Sequence, residues 1–395
     1  MDERATPKRV LLVPDGMADE PIAELDGRTP LAVAHTPNMD AMARRGTVGL
    51  VHTVPDGMPP GSDVANLAVL GYDPAAVYSG RSPLEAASIG VDLGPHDVSY
   101  RCNFVTIVDG VMKDHAAGHI STDESRRCIA ALEAALGGGA FEFYTGVSYR
   151  NLLVWRGGEV VACTPPHNIL DQPVADYLPG VAAGQGDESA ARTLADLWRR
   201  SEDVLKPVRP ETSTWFWGEG TAPSMPHYSD LYGLSGAVVG AVDLIRGIGR
   251  YAGFEVLDVP GATGGLDTDY GAKAQAAIDA LDRHDFVWVH VEAPDEAGHM
   301  GSLEEKLKAI ERIDAEVLGP ILASQHRPGV LVVPDHFTLL RTRTHLGAPV
   351  PFVFASGNAG ECADSASYTE AGAEATGVVM SSGRELVRLF FEATK

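Results

Sequence analysis

The sequence predicts an α/β fold: a doubly wound, mainly parallel sheet with an inserted, smaller α+β cap domain. Short, almost entirely apolar runs recur along the chain and are typical of strands buried on both faces of a parallel sheet. They are residues 10–13, 286–291, 330–333 and 350–355. Segments with helical periodicity lie between them, at 36–45, 272–283 and 302–324. Strands that alternate with helices indicate a sheet that binds ligands at the carboxyl ends of its strands.

The middle of the chain has a different pattern, in which several strands follow one another. We expect a strand over Val98–Val108, a turn at Asp109 and Gly110, a helix over Thr122–Leu136, and strands near 141–144 and 151–155. A stretch rich in proline and glycine at 170–187 precedes a helix over Glu188–Leu205. We therefore predict a catalytic domain of residues 1–96 and 206–395 and a cap domain of residues 97–205.

Composition and charge argue against nucleic acid and membrane as partners. The chain has 395 residues, with Lys+Arg 31 against Asp+Glu 54, and a net charge of -23. Such a surface repels nucleic acid and anionic membranes, because binding to them needs cationic side chains. An acidic protein that binds a small phosphorylated substrate has to neutralise charge locally, with metal ions or a few placed cations. The combination of an acidic chain with an anionic substrate is the first indication of a metal site.

Cysteine usage and the N-terminal segment predict a cytoplasmic protein. The cysteines, Cys102, Cys128, Cys163 and Cys362, form no C-x-x-C pair, which is typical of small buried residues in a reducing compartment. The N-terminal segment has only a four-residue apolar run, too short for a signal peptide or a spanning helix. The sequence does not fix the oligomeric state, and a homo-oligomer is compatible with it.

Aspartates follow three of the predicted strands: Asp15, Asp295 and Asp335. Because the ends of parallel strands meet at one edge, we expect these carboxylates to lie close together. Asp295 and His299 are four residues apart, which on a helical turn puts both on one face. A carboxylate and an imidazole from one turn suit a divalent ion such as zinc or manganese.

Two more histidines belong to the same predicted edge. His336 is adjacent to Asp335, and His345 follows before the next strand. Two metal ions at this edge would clamp the attacking and leaving oxygens of a phosphoryl transfer. Taken singly, Asp15 is explained equally well as a turn former or helix cap, and a lone His345 is more often a loop or core residue. The coincidence of all six at one edge favours the metal site.

Ser62 is the candidate nucleophile. Pro59, Pro60 and Gly61 precede a helical run, so Ser62 lies at a helix N-terminus, where unpaired N–H groups favour a phosphate. A serine there is most often only an N-cap, and an adjacent dication would make it a nucleophile. Asn66, one turn later, is either a donor to a phosphate oxygen or simply a polar helix residue.

Six segments together resemble the archaeal type of cofactor-independent (2,3-bisphosphoglycerate-independent) phosphoglycerate mutases, a family of the alkaline phosphatase superfamily. They are LLVPDGMADEP, TPNMDAMARRG, PPGSDVANLAVLGYDP, SGRSPLEAASIG, VHVEAPDEAGH and PDH…RTHLGAPVPF. The resemblance covers nearly the whole chain. It implies a phosphatase-type domain with an inserted cap, two divalent metal ions (Mn, Zn, Co or Mg), a phosphoserine intermediate and no 2,3-bisphosphoglycerate.

The matching motifs also imply the metal ligands and the reaction. One metal site would consist of Asp15, Ser62, Asp335 and His336, and the other of Asp295, His299 and His345. Ser62 would take the phosphoryl group from 3-phosphoglycerate and return it to the other hydroxyl, while the cap excludes water. The candidates for binding the anionic groups of the substrate are Asn66, Arg81, Arg101, His115, His119 and Lys273. Surface cations are more often merely solvated.

One segment departs from the family pattern and leaves alternatives open. Residues 114–119, Asp-His-Ala-Ala-Gly-His, stand where an Arg-rich segment is usual, which resembles a bacterial branch suggested to be homoserine kinases. Phe337 stands where proline is more usual, with an expected effect on packing only. The alternatives are a related phosphotransferase (homoserine kinase-like), a phosphatase, or a non-catalytic metal-binding protein. The chain has no G-x-x-x-x-G-K-[ST] loop, which argues against a conventional kinase, and Ser62 argues against a purely structural metal site.

Overall fold

The computed structural model describes residues 7–179, 188–357 and 367–395. Residues 180–187 of the predicted proline- and glycine-rich stretch, and Cys362, lie outside the described residues. Contacts divide the chain into two compact units: a larger unit, Met1–Tyr78 with Ser224–Lys395, and a smaller unit, Ser79–Pro223. The domain boundaries predicted after residues 96 and 205 fall within the smaller unit and stay a prediction.

The strands alternate with helices through most of the chain. The strands are β1 (Arg9–Pro14), β2 (Thr47–Val51), β3 (Val98–Val108), β4 (Val111–Asp114), β5 (Phe141–Val147), β6 (Arg150–Trp155), β7 (Ser213–Thr221), β8 (Gly236–Val239), β9 (Glu255–Val256), β10 (Phe286–Val291), β11 (Gly329–Val332), β12 (Phe337–Leu339), β13 (Thr344–Leu346), β14 (Val350–Ala355) and β15 (Val379–Met380).

The helices are α1 (Pro30–Val33), α2 (Pro37–Arg45), α3 (Ser62–Val69), α4 (Pro74–Val77), α5 (Ser82–Ser88), α6 (Thr122–Leu136), α7 (Glu188–Leu205), α8 (Tyr228–Tyr232), α9 (Asp243–Tyr251), α10 (Tyr270–Ala280), α11 (Ala293–Met300), α12 (Leu303–Arg312), α13 (Gly319–Ala323), α14 (Glu370–Ala375) and α15 (Gly383–Ala393). Short 3₁₀ turns cover Ala23–Leu25, Pro166–Ile169 and Val174–Tyr177, and a π-helical turn, Ile313–Leu318, joins α12 to α13. None of the helices in the described residues is long and apolar enough to cross a membrane.

The larger unit is built on one sheet with the strand order β15-β2-β14-β11-β1-β10-β8-β9. The five strands from β11 to β9 run parallel to one another. β1 lies between β10 and β11, and all six of its residues are buried. The predicted α/β class with a mainly parallel sheet is therefore confirmed.

β14 differs from the prediction in its direction. Its apolar sequence predicts a buried strand of a parallel sheet, but it runs antiparallel to both β11 and β2. All six residues of β14 are buried, as in the parallel strands β1 and β10. An unbroken apolar run indicates that a strand is buried on both faces. It does not indicate whether the strand runs parallel or antiparallel to its neighbours.

The smaller unit has an antiparallel sheet with the strand order β4-β3-β6-β5, in which β7 also pairs with β3. Two helices, α6 and α7, contribute buried residues to its apolar core. A capping box formed by Ser121 and Glu124 starts α6. This is the α+β pattern that the sequence predicts for the middle of the chain.

Candidate active site

Three aspartates meet at one edge of the large sheet because the strands before them are neighbours. β1 pairs in parallel with β10 on one side and with β11 on the other. Asp15 directly follows β1, Asp295 lies in the first turn of α11 after β10, and Asp335 comes shortly after β11. All three side chains are buried. The edge thus concentrates negative charge where water cannot solvate it, an arrangement that calls for cations.

Asp295, His299 and His345 form the first cluster, whose ligand atoms lie within 4.8 Å of one another. Nε2 of His299 is 3.3 Å from Asp295 Oδ2, and Nε2 of His345 is 3.3 Å from Asp295 Oδ1. The Nδ1 atom of each ring faces a backbone carbonyl, that of Arg343 at 2.9 Å for His299 and that of Pro60 at 2.9 Å for His345. Because a carbonyl oxygen only accepts hydrogen bonds, Nδ1 donates in both rings, and the two Nε2 atoms are the ones available to a cation.

The electrostatics of this cluster also fit a cation. Burial alone would raise the pKa of Asp295, but hydrogen bonds from His299 and His345 hold it well below its usual value. The hydrogen bond to Asp295 raises the pKa of His299 to about 9. The cluster therefore attracts positive charge, which a proton on His299 supplies below about pH 9 and which a divalent ion would supply after displacing it.

Asp15, Asp335 and His336 form the second cluster, again with ligand atoms within 4.8 Å of one another. His336 Nε2 is 3.7 Å from Asp15 Oδ1 and 3.5 Å from Asp335 Oδ2. Oδ1 of Asp335 accepts hydrogen bonds from the backbone N–H of Gly16 (3.1 Å) and of His336 (2.9 Å). Burial and the neighbouring Asp335 and Glu292 carboxylates raise the pKa of Asp15 well above its usual value.

Ser62 lies beside the second cluster. It is the first residue of α3, and Gly61 before it occupies the N-cap position. Ser62 is therefore not the capping residue of the helix, and its Oγ lies 3.2 Å from Nε2 of His336. The simpler explanation of Ser62 as an N-cap is therefore not what the structure shows.

Asn66 and Lys273 are both held by contacts within the protein. Nδ2 of Asn66 donates to Ser62 O at 2.9 Å and to Asp335 Oδ2 at 2.9 Å, so both amide hydrogens are engaged. Nζ of Lys273, on α10, donates to the backbone oxygen of His290 at 3.0 Å. Burial lowers the pKa of Lys273 to about 8. These contacts position Ser62, Asp335 and β10, and the predicted substrate contacts of Asn66 and Lys273 stay predictions.

Thr338 and Gly16 join the two clusters. Thr338 Oγ1, in β12, donates to Asp295 Oδ1 at 2.5 Å and lies 3.3 Å from Nδ1 of His336. Since its single hydrogen goes to Asp295, the hydroxyl accepts from Nδ1, which leaves His336 Nε2 facing the second cluster. Gly16 has φ +60°, and a Cβ there would overlap Thr338 Oγ1 and lie 2.7 Å from Asp295 Oδ1.

Arg81 and Arg101 of the smaller unit share one carboxylate. Nε of Arg81 is 3.2 Å from Glu85 Oε1, and Nε of Arg101 is 2.9 Å from Glu85 Oε2. The guanidinium of Arg101 lies 4.4 Å from the centre of the Trp217 ring, and the residue is buried. One carboxylate thus contacts two guanidinium groups.

His115 and His119 lie against the same aromatic ring, each with its ring centre 6.2 Å from that of Tyr149. His167, which the sequence analysis did not single out, has its ring centre 6.3 Å from that of His115. Burial lowers the pKa of His167, and the positive charges of His115 and Arg101 lower it further. The smaller unit therefore gathers the predicted cations near one another, with His167 among them.

Comparison with known proteins decides the family. A sequence profile described as 2,3-bisphosphoglycerate-independent phosphoglycerate mutase matches residues 43–209. A probable 2,3-bisphosphoglycerate-independent phosphoglycerate mutase of Geobacter sulfurreducens is 50% identical, over 98% of this chain and 100% of that protein.

The chain belongs to the 2,3-bisphosphoglycerate-independent phosphoglycerate mutase family. The family predicted from the sequence motifs is thus confirmed. Among solved structures, a protein of Pyrococcus horikoshii is similar with a TM-score of 0.83 at 28% identity, over 99% of this chain and 98% of that one. The cofactor-independent phosphoglycerate mutase of Thermoplasma acidophilum is similar with a TM-score of 0.69 at 25% identity, over 98% of this chain and 100% of that one.

The residues of this mutase fit divalent ions at both clusters. Each cluster combines carboxylate oxygens with imidazole Nε2 atoms, the ligands that manganese and zinc accept. Both oxygens of Asp15 are buried without a hydrogen-bond partner among the described residues, as expected of a metal ligand.

The sequence analysis of this mutase missed His290 and Glu292, which form a third cluster with Asp15. His290 lies within the apolar run of β10 and was counted as strand core, and Glu292 was treated as part of the turn after it. Burial lowers the pKa of His290 to about 3. Burial, with the nearby charge of Asp295, raises the pKa of Glu292 to about 8. The available signal was a histidine inside an otherwise apolar strand.

Proposed function

We propose that the chain interconverts 3-phosphoglycerate and 2-phosphoglycerate by transferring the phosphoryl group to Ser62 and back. Family membership supports the reaction, an isomerisation that belongs to glycolysis and thus to the cytoplasm. The position of Ser62 supports the mechanism, since its Oγ lies 3.2 Å from His336 Nε2 at the start of α3. Backbone N–H groups at a helix N-terminus attract a phosphate, so the nucleophile and its target are brought together.

The proposed reaction is a double displacement that needs no second substrate. In the first step a bond forms between Ser62 Oγ and phosphorus, the bond from phosphorus to O3 of glycerate breaks, and the serine proton is passed to O3. In the second step a bond forms between O2 of glycerate and phosphorus, the bond from phosphorus to Ser62 Oγ breaks, and the proton of the O2 hydroxyl is passed to Ser62 Oγ. The sequence contains no phosphate-binding nucleotide loop, which agrees with a reaction that consumes no nucleotide.

Two groups of residues are assigned as metal ligands. Asp295, His299 and His345 would hold one ion, and Asp15, Ser62, Asp335 and His336 would hold the other. When bound, divalent ions (Mn, Zn, Co or Mg) would supply positive charge that lowers the proton affinity of the Ser62 hydroxyl and offsets the charge of the phosphoryl group. Asn66 would keep Ser62 and Asp335 in place through its two hydrogen bonds.

The cations of the smaller unit are assigned to the anionic groups of the substrate. The basic side chains are Arg81, Arg101, His115 and His119, in a chain whose net charge is -23. Guanidinium groups bind carboxylate and phosphate oxygens through paired hydrogen bonds. The Glu85 carboxylate orients both arginines, which reduces the entropy that they lose on binding.

The first test is the turnover of the purified protein and of a Ser62→Ala variant. We expect the wild-type protein, supplied with Mn²⁺, to convert 3-phosphoglycerate to 2-phosphoglycerate without added bisphosphoglycerate. Ser62→Ala removes the nucleophile and should lower kcat by roughly 10³-fold or more. Acid-quenched protein should carry phosphate on the peptide that contains Ser62, detectable by mass spectrometry.

A matched control and a second substrate make this test decisive. Ser229→Ala, an exposed serine in α8, should leave kcat unchanged. Full activity in Ser62→Ala would remove the serine from the mechanism. Turnover of homoserine with ATP, in the absence of turnover of 3-phosphoglycerate, would show that the histidines of residues 114–119 mark a different substrate.

A further inference from the structure

The third cluster lies on the side of Asp15 away from the second cluster. Asp15 Oδ1 is 3.7 Å from Nε2 of His336, whereas Asp15 Oδ2 is 3.1 Å from Nε2 of His290. Glu292 belongs to the same group, because one donor atom from each of the three residues lies within 4.8 Å of the other two. The two carboxylate oxygens of one residue therefore face two different imidazoles, which is the geometry of a carboxylate that bridges two ions.

The polar atoms of this cluster are buried and lack partners. His290 is 1% exposed and Asp15 is 0% exposed. Four polar atoms have no hydrogen-bond partner in the described part of the chain: His290 Nε2, both oxygens of Asp15 and Glu292 Oε2. Two of them, His290 Nε2 and Asp15 Oδ2, are nevertheless only 3.1 Å apart. A buried polar atom without a partner costs roughly 1–3 kcal/mol, more if it is charged, so several at one point indicate a missing ligand.

The spacing and the chemistry of the donor atoms fit a transition-metal cation. Metal–ligand bonds of about 2.0–2.2 Å place neighbouring donors on one ion about 3 Å apart. The distance of 3.1 Å between His290 Nε2 and Asp15 Oδ2 agrees with this spacing. One imidazole and two carboxylates form a donor set suited to Mn²⁺ or Zn²⁺, whereas Mg²⁺ and Ca²⁺ prefer oxygen alone.

We propose that Asp15, His290 and Glu292 form a third cation position, occupied by a divalent transition metal and bridged through Asp15 to the ion of the second cluster. This position goes beyond the two ions of the proposed function. The competing occupant of the same space is a proton shared between the Asp15 and Glu292 carboxylates.

The test counts bound Mn²⁺ per chain in the full-length protein, which can be done whether or not the protein turns over phosphoglycerate. Protein stripped with EDTA is dialysed against Mn²⁺, and bound metal is measured by inductively coupled plasma mass spectrometry. We expect the wild-type protein to bind one ion more than Glu292→Gln, which keeps the shape of the side chain and removes its charge. His290→Phe, which keeps a ring and removes both nitrogens, should lose the same ion.

Two further measurements keep the result unambiguous. Glu296→Gln changes an exposed glutamate on the neighbouring helix α11 and should retain the wild-type ion count. If the buried variants fail to fold, anomalous diffraction from wild-type crystals grown with Mn²⁺ should show a peak between Asp15 Oδ2 and His290 Nε2. An unchanged ion count in Glu292→Gln, or no anomalous peak at that point, overturns the proposal and favours the shared proton.

Discussion

Thr338 would bind no ion in the proposed centre, yet it determines how two ligands are presented. Its hydroxyl donates to Asp295 Oδ1 at 2.5 Å and lies 3.3 Å from His336 Nδ1. One hydroxyl therefore orients a carboxylate of the first cluster and an imidazole of the second. Outer-shell partners of this kind fix the tautomer and the orientation of a ligand.

Thr338→Val tests this role, because valine keeps the branched shape and removes the hydroxyl. We expect Mn²⁺ affinity to fall about 10- to 100-fold, since Asp295 loses its hydrogen bond and His336 is no longer held in one tautomer. Isothermal titration calorimetry of stripped protein measures the affinity. Thr342→Val, on the exposed segment that follows β12, is the control and should bind Mn²⁺ as the wild-type protein does. Equal affinity in both variants would show that Thr338 only fills space.

His290 shows why sequence patterns find some ligands and miss others. Asp295 and Asp335 were found because each follows an apolar run within a few residues and has a histidine nearby in the sequence, His299 and His336. His290 lies inside such a run, and a strand buried on both faces conceals which of its side chains points to the edge with the aspartates. His167 was missed for another reason, since only the folded smaller unit brings it near His115.

The central strands could be predicted because each ends abruptly in a polar turn, and neighbouring ends put the aspartates together. β1, β10 and β11 have continuous pairing in parallel register, with Pro14 opposite Val291 and Leu12 opposite Val332. The antiparallel direction of β14 could not be predicted in the same way. Burial decides which residues are apolar, whereas direction depends on connections that an apolar run does not encode.

α10 is attached to β10 by Lys273, and this contact makes stability depend on pH in the alkaline range. Burial lowers the pKa of Lys273 to about 8, from 10.5 in the unfolded chain. Between these values the unfolded chain binds more protons than the folded chain, so the free energy of unfolding rises with pH. For one group the free energy of unfolding can rise by at most about 1.4 kcal/mol per pH unit. We expect a rise of about 1 kcal/mol per pH unit.

Comparison of wild-type protein with Lys273→Met isolates this contribution. Urea unfolding of metal-free protein at pH 8 and pH 10 should show a gain in stability with pH that is larger in the wild-type protein than in the variant. Lys308→Met removes an exposed lysine of α12 and should keep the wild-type dependence. If Lys273→Met shows the same gain as the wild-type protein, Lys273 is already solvated as an ordinary lysine.

The larger unit holds several buried carboxylates close together at one edge of its sheet. Burial, together with the nearby Asp295 and Asp335, raises the pKa of Glu292 to about 8, from 4.5 in the unfolded chain. Asp15 is shifted in the same direction. Between pH 4.5 and 8 the folded chain therefore binds more protons than the unfolded chain, and the metal-free protein should lose stability as pH rises through this range.

Metal ions should remove that loss. Mn²⁺ requires deprotonated carboxylates, so it binds more tightly as pH rises and stabilises only the folded state. Calorimetry at pH 5 and pH 8 should show a melting temperature that falls with pH in EDTA and does not fall in excess Mn²⁺. In EDTA, Glu292→Gln should show a smaller fall than the wild-type protein. A metal-free protein that melts at the same temperature at both pH values would contradict the expected destabilisation by buried carboxylates. So would a Glu292→Gln variant whose melting temperature falls as much as that of the wild-type protein.

The organisation of the chain as a whole could be anticipated from the change of pattern in its middle, because consecutive strands without intervening helices indicate an antiparallel sheet. The predicted cap boundaries, after residues 96 and 205, stay a prediction, but the pairing partners of the middle strands were less accessible. α5 and β7 lie outside the predicted cap residues, yet β7 pairs with β3 along much of its length and α5 belongs to the same compact unit. Pairing between strands that are distant in the sequence cannot be predicted from the local sequence pattern.

The turn after β1 limits how this centre could be redesigned. The backbone at Gly16 passes so close to Thr338 and Asp295 that its two α-carbon hydrogens lie directly beside the predicted metal ligands. An engineer who wanted a larger ion or a different donor set could exchange histidines and carboxylates, but would find no spare volume on this side. The size of the ion is thus limited by a residue that has no side chain to mutate.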